Sequence, residues 1–207
     1  MHQAVITIET TGRSPRQRTI RADGEYLTDT SLSVLRTIGL EEGGTSPVDV
    51  LLDQIARVEP ELARERALKI LDYRERSVDQ LRKGLIVDGY SADVVDVVVT
   101  RLVDLELVSD SRFAELYARS KRSAGWGGRR ITNGLRQAGV PEDIAAAAVF
   151  EDESGSEYER ALTFALRKRP GSETAERRLV NALARRGFSF EVARRAAAQA
   201  RERFACD

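Results

Sequence analysis

Alternation marks the start of the chain. Val5, Ile6 and Ile8 fall in a β-branched run, and Arg18–Ala22 and Glu25–Thr28 flank Asp23-Gly24. Asp-Gly between two extended runs predicts a hairpin, because both central residues of the tight turn take positive φ. With a further turn at Arg13-Ser14-Pro15, residues 1–28 read as a small three-stranded antiparallel sheet that must rest on helices. From Asp29 the apolar spacing becomes helical. Leu32, Leu35 and Ile38 share a stripe that Gly39 ends as a left-handed cap. Ser46-Pro47 reads as an N-cap with proline at the first helical position, followed by Val50, Leu51 and Ile55. Pro60 predicts a break.

Beyond Pro60 one pattern occurs three times: Leu81–Val95, Ile131–Ala145 and Leu179–Ala193. Its form is apolar-x3-Leu-x3-Gly-apolar-x2-acid-apolar, with leucines 85, 135 and 183 and glycines 89, 139 and 187. The glycines stand 50 and 48 residues apart, which is the mark of a repeat protein. Apolar residues four apart share a helix face. The glycine stops that helix in a left-handed turn, and the next residue (Tyr90, Val140 or Phe188) closes over its end. Ser91 and Ser189 then cap a following helix, Pro141 fits its first turn, and Asp93, Asp143 and Glu191 sit where the dipole favours acid. A further helix precedes each pattern: Glu61–Tyr73, the segment after Asp110, and the segment after Ser156. Ser77 with Gln80 and Ser156 with Glu159 read as capping boxes. The expected fold is mainly α-helical: three tandem three-helix repeats at 61–108, 109–153 and 154–207 in an elongated curved array. The small β element and one or two helices occupy 1–60.

Composition narrows the function. No apolar run approaches the roughly 20 residues of a membrane span, and no secretory leader is evident, so the expected location is the cytoplasm. Cys206 is the single cysteine and His2 the single histidine, both terminal. That disfavours disulfides, metal clusters and histidine catalysis, so neither a cofactor nor a metal is expected. Gly125–Arg130 (GWGGRR) lacks the GK[ST] ending of a phosphate loop. The acidic run Glu151-Asp152-Glu153 reads as a solvated linker rather than a cation site. Charge is the asymmetric feature. Residues 1–111 hold 14 Lys+Arg against 20 Asp+Glu, a net of −6, and residues 112–207 hold 19 against 13, a net of +6. Arginine dominates the second half and suits a partner rich in carboxylates or phosphates. Candidate contacts there are Arg119, Lys121, Arg122, Trp126, Arg129, Arg130, Arg136, Arg178 and Arg185. Arg129 with Arg136, and Arg178 with Arg185, lie seven apart and share helix faces. Trp126 reads either as a contact residue or as a plug between repeats. Phe113 and Tyr117 read as core.

Leu71–Leu85 (LDYRERSVDQLRKGL) and Ser109–Val140 resemble the RecX family. The shared features are Arg-x-Arg-Ser before a helix, then an acid, Phe-Ala, Tyr-x-Arg, Gly-x-x-Arg-Ile, leucine and glycine. The opening β element ending in Asp-Gly-Glu-Tyr is similar too. Matching positions are Arg74, Arg76 and Ser77, then Asp110, Phe113, Tyr117, Arg119, Arg129 and Ile131, which adds Arg74 and Arg76 to the candidate contacts. The resemblance implies a regulator that binds the RecA–DNA filament. Inhibition of strand exchange, ATP hydrolysis and repressor cleavage would follow. The residues themselves lead to the expectation of a non-enzyme and, with no heptad or exposed apolar patch to argue for a dimer, of a monomer. Thr132-Asn133-Gly134 departs from the family pattern, and a mid-helix glycine costs about 1 kcal/mol against alanine. A direct DNA-binding role for the basic repeats is the alternative reading, separable by its steep salt dependence. A hydrolase or transferase lacks an evident nucleophile.

Overall fold

The structure, a computed structural model, describes residues 3–10, 14–150, 157–170 and 172–204. The chain divides into two units, Met1–Ser109 and Asp110–Asp207. His2, Cys206, Glu151–Glu153 and the Ser156 capping box lie outside the described residues.

In the first unit, β1 (Ala4–Glu9), β2 (Gln17–Ala22) and β3 (Glu25–Ser31) form the expected antiparallel sheet. Asp23 and Gly24 have φ of 51° and 87°, the doubly positive turn that Asp-Gly predicts. A short fourth strand, β4 (Thr45–Ser46), joins the edge to give the order β3-β2-β1-β4. Ser46 therefore pairs with Ala4 instead of capping a helix, and Pro47 takes the N-cap position. The expectation of helix from Asp29 is corrected by three residues, since β3 runs on to Ser31, whose side chain caps α1 (Leu32–Ile38). Gly39 ends α1 at φ 68°, as expected.

The expected break at Pro60 does not occur. Helix α2 runs from Val48 to Tyr73, so a module boundary at residue 60 falls inside it. Its buried residues, Leu51, Ile55, Glu59, Ala63 and Ala67, recur every four positions and anchor the helix through the proline. Pro60 is exposed, and so is Ala56, whose carbonyl the missing N–H leaves to solvent. Helices α3 (Val78–Val87) and α4 (Ala92–Asp104) complete this unit. Glu59 is 4 % exposed yet well used: its carboxylate accepts from the Ser91 N–H at 2.7 Å and the Ser91 hydroxyl at 2.9 Å. Ser91, the N-cap of α4, is thus held by Glu59, and its own side chain makes no cap bond. Ser77 does cap α3, accepting from the Gln80 N–H at 3.1 Å, but Gln80 Oε1 has no partner among the described residues, so the capping box is half made.

The second unit contains α5 (Asp110–Ser123), α6 (Gly128–Gln137), α7 (Glu142–Phe150), α8 (Glu157–Arg167), α9 (Glu173–Arg185) and α10 (Phe190–Phe204). Helices α5–α7 surround one core and α8–α10 another. The second is built largely from alanine, Ala161 and Ala165 against Ala193, Ala196, Ala197 and Ala200, so α8 and α10 approach closely.

The threefold pattern has one physical meaning. Gly89 N–H donates to the Ile86 carbonyl at 3.0 Å and Tyr90 N–H to the Leu85 carbonyl at 3.2 Å. The same paired bonds close Gly139–Val140 on Arg136 and Leu135, and Gly187–Phe188 on Ala184 and Leu183. This is the Schellman closure, in which the leucine and the post-glycine residue meet across the helix end. All six of these apolar residues are buried. Ser189 then accepts from Val192 N–H, and Asp93, Asp143 and Glu191 occupy first turns as expected.

Two of the glycines also serve close approach. A Cβ at Gly89 would lie 2.4 Å from the Thr30 carbonyl oxygen, and one at Gly187 would lie 2.4 Å from the Arg130 backbone nitrogen. Gly43, with φ 78°, has nothing near its missing Cβ. Gly43→Ala is therefore expected to cost only the left-handed penalty, about 1 kcal/mol. Gly187→Ala adds a backbone clash and is expected to cost about 1–3 kcal/mol more. Urea unfolding of both variants checks this, and equal losses would contradict it.

Candidate partner interface

Gly125 turns left-handed at φ 75°, with its N–H on the Arg122 carbonyl at 2.8 Å and Trp126 N–H on the Lys121 carbonyl at 3.0 Å. This is the same closure as in the repeat pattern, with lysine and tryptophan in the two contact positions. It folds the indole back over its own helix. Lys121 Nζ lies 4.9 Å from the Trp126 ring centroid, and Arg130 Cζ lies 3.8 Å from it. Lys121 is also 5.1 Å from the Tyr117 ring, which stacks on Phe113 at 5.9 Å. Contacts of this kind contribute about 0.5–1 kcal/mol each at partly exposed sites. Trp126 is half-buried against the core of its own repeat. It holds Lys121 and Arg130 in place and is not an open stacking platform.

The next two residues answer a different need. A helix start leaves its first N–H groups without partners, and Gly127 at the N-cap of α6 has no side chain to meet them. The third repeat meets them instead. Gly127 N–H donates to the Arg186 carbonyl at 2.8 Å and Arg129 N–H to the Gly187 carbonyl at 3.1 Å. Gly128 N–H donates to Glu157 Oε1 at 3.0 Å. A Cβ on Gly127 would come within 2.3 Å of the Gly187 carbonyl carbon. The glycine-rich loop is therefore an inter-repeat joint.

The remaining cations divide into held and unheld. Arg122 donates through Nη2 to the Ala148 and Val149 carbonyls at 2.8 and 2.9 Å and so closes the end of α7. Arg136 makes a bidentate pair with Glu142 and also reaches Asn133. Arg119, Arg129, Arg178 and Arg185 are exposed, and among the described residues their side chains have no hydrogen-bond or ionic partner. Arg74 and Arg76 lie in the other unit, after the end of α2. Arg74 is exposed; Arg76 is half-buried, and its Nε has no partner among the described residues. Burial first, and then the neighbouring charge of Arg74, lower the Arg76 pKa from its ordinary value.

Two participants were not among the candidates. Glu157 carries no motif that ties it to a distant glycine. Arg186 is by sequence one more basic residue of the arginine-rich second half, yet its Nη1 donates to the Gly125 carbonyl at 3.2 Å, and its guanidinium lies 4.3 Å from the Phe164 ring centroid. The unusual Gly134 also finds its reason. A Cβ there would lie 2.1 Å from the Tyr117 hydroxyl oxygen and 2.9 Å from Cζ. Burial raises the Tyr117 pKa, opposed by the charge of Arg130.

Comparisons with known proteins point one way. The chain matches the second three-helix domain of RecX over residues 109–149 and the first over 63–102. Regulatory protein RecX of Mycobacterium sp. (strain KMS) is 36% identical over 143 residues, covering 64% of this chain and 78% of that protein. The protein of the same name from Chromohalobacter salexigens is 35% identical over 143 residues, covering 67% and 93%. A crystal structure of a regulatory protein RecX covers 92% of this chain and 97% of its own, with a TM-score of 0.62 and 24% identity. RecX from Lactobacillus salivarius covers 70% and 97%, with a TM-score of 0.63 and 21% identity. At these identities the two structures speak for the fold. Among the described residues no helix is long and apolar enough to cross a membrane, and no group of three His, Cys, Asp or Glu side chains could hold a metal.

The Tyr117–Gly134 contact gives a test with a sign change. Gly134→Ala in the native background is expected to destabilise by about 1–3 kcal/mol through overpacking, despite alanine's better helix propensity. In a Tyr117→Leu background the same change is expected to stabilise by up to about 1 kcal/mol. Chemical denaturation of the four proteins of this cycle checks it, and an unchanged sign would contradict the contact.

Proposed function

Because this chain belongs to the RecX family, we propose that it is a regulatory protein that binds the RecA recombinase–DNA filament. On this reading it inhibits the filament's recombinase, ATPase and coprotease activities and so modulates recombinational repair and the SOS response. The observation that supports a surface-binding role is the set of unheld guanidinium groups. Arg129 on α6 and Arg178 and Arg185 on α9 stand exposed with no partner among the described residues. Arginine presents a rigid planar fork suited to carboxylates and phosphates, the groups such a filament offers. Arg122 and Arg136 are already engaged within the chain and are not counted among the filament contacts. Arg130 is tied to Trp126 and Gly187, so its reversal tests packing as well as binding.

The test is RecA ATP hydrolysis on single-stranded DNA, titrated with this protein. Inhibition at sub-stoichiometric ratios is expected. Arg129→Glu/Arg178→Glu/Arg185→Glu is expected to raise the inhibitory concentration by about tenfold or more while leaving helicity and thermal stability unchanged. Absence of inhibition even at equimolar ratio would overturn the reading. Equal inhibition by the triple variant would move the contact surface away from α6 and α9. Binding to bare DNA without any effect on RecA would favour a direct nucleic-acid role, recognised by its steep salt dependence.

A further inference from the structure

The second and third repeats frame an open cavity of about 530 Å³ that the filament reading does not use. Its walls come from three places: the end of α5, one face of α8, and the cap of α9. Arg122, Arg160, Arg167, Lys168 and Arg186 line it, against a single lining carboxylate, Glu159. A second carboxylate nearby, Glu157, lines the adjoining cavity with Arg122 and Arg160 and accepts from the Gly128 N–H. Cations so outnumber acids among the described lining residues.

Two of these arginines are fixed before any ligand arrives. Arg122 is pinned by the carbonyls of Ala148 and Val149 through Nη2. Arg186 is pinned by the Ala124 and Gly125 carbonyls through Nη1, and its Cζ lies 4.3 Å from the Phe164 ring centroid. A guanidinium carries five N–H donors, so each retains donors beyond the ones that anchor it. Among the described residues those further donors have no protein acceptor. Anchored forks lose little freedom on binding an anion. Arg167 and Lys168 stand exposed at the rim. Lys168 Nζ lies 5.8 Å from the Phe164 ring. Phe164 supplies an apolar wall, and the volume falls within the range of roughly 300–1,000 Å³ typical of small-ligand sites.

We propose that this cavity binds a compact polyanion with closely spaced phosphates, of the nucleoside polyphosphate class. Cations arriving from three separate elements line one cavity, an arrangement that suits several phosphate charges on one small ligand. A row along one helix would instead suit an extended strand.

The test is calorimetric titration of the full chain with sodium tripolyphosphate, with ATP and with a ten-nucleotide oligo-dT. Emission of Trp126, the single tryptophan and next in sequence to a lining residue, serves as a second signal. Saturable binding of tripolyphosphate or ATP at one site is expected. Arg167→Glu/Lys168→Glu is expected to weaken it by about tenfold or more, because two charge-assisted contacts are reversed. Arg129→Glu/Arg178→Glu, whose positions do not line the cavity, is expected to leave it nearly unchanged. Three results would overturn the proposal: binding of the oligonucleotide alone, binding indifferent to Arg167 and Lys168, or equal loss in both variants. The filament reading is tested on the other set of arginines, so either proposal can fail while the other stands.

Discussion

The start of α6 is the constraint on which the second unit is arranged. A helix that begins at glycine cannot cap itself, and its first N–H groups must find oxygen elsewhere or stay unpaired at a cost of about 1–3 kcal/mol each when buried. Here the carbonyls of Arg186 and Gly187 and the carboxylate of Glu157 provide that oxygen. The two chain segments touch backbone to backbone. For that reason both Gly127 and Gly187 must lack side chains, and Gly187 must also turn left-handed. One set of bonds therefore joins the second repeat to the third, places Arg129 and Arg130 at the start of α6, and brings Arg186 to the end of α5.

Arginine does two separate jobs in this unit, and composition alone cannot separate them. Arg122 and Arg186 act as helix-end closures: each directs donors at carbonyls that a terminating helix leaves open. Arg129, Arg178 and Arg185 have no such duty and face solvent. The positive balance of +6 in residues 112–207 thus mixes cations anchored on carbonyls with cations that face solvent. The family relationship supplies the regulatory role, and the distribution of engaged and unengaged guanidinium groups supplies the surface to test.

Much of the architecture is legible in the residues because it rests on local rules. The Leu-x3-Gly-apolar signature encodes the Schellman closure, whose bonds all fall within six residues, and Asp23-Gly24 encodes its turn in two. Errors arose where distant residues overrule local preference. Pro60 breaks helices in isolation, but a buried stripe from Leu51 to Ala67 carries α2 across it. Ser46 looks like a cap, yet Ala4 recruits it into a strand. The site was less legible than the fold. Gly134 looked like a weak point until Tyr117 occupied its missing side chain, and GWGG gave no hint that its glycines answer to Gly187 and Glu157. Such pairings lie 17 to 60 residues apart in sequence and obey no periodicity.

The capping of α6 by the third repeat is tested most directly by amide hydrogen exchange of the intact protein, resolved residue by residue. The amides of Gly127, Gly128 and Arg129 are at a helix start, where exchange is ordinarily fast. The joint described above predicts protection comparable to that of Ile131 and Leu135 in the same helix. Exchange at the rate of an open helix terminus, with Ile131 and Leu135 still protected, would contradict it and leave the second and third repeats without their connecting bonds.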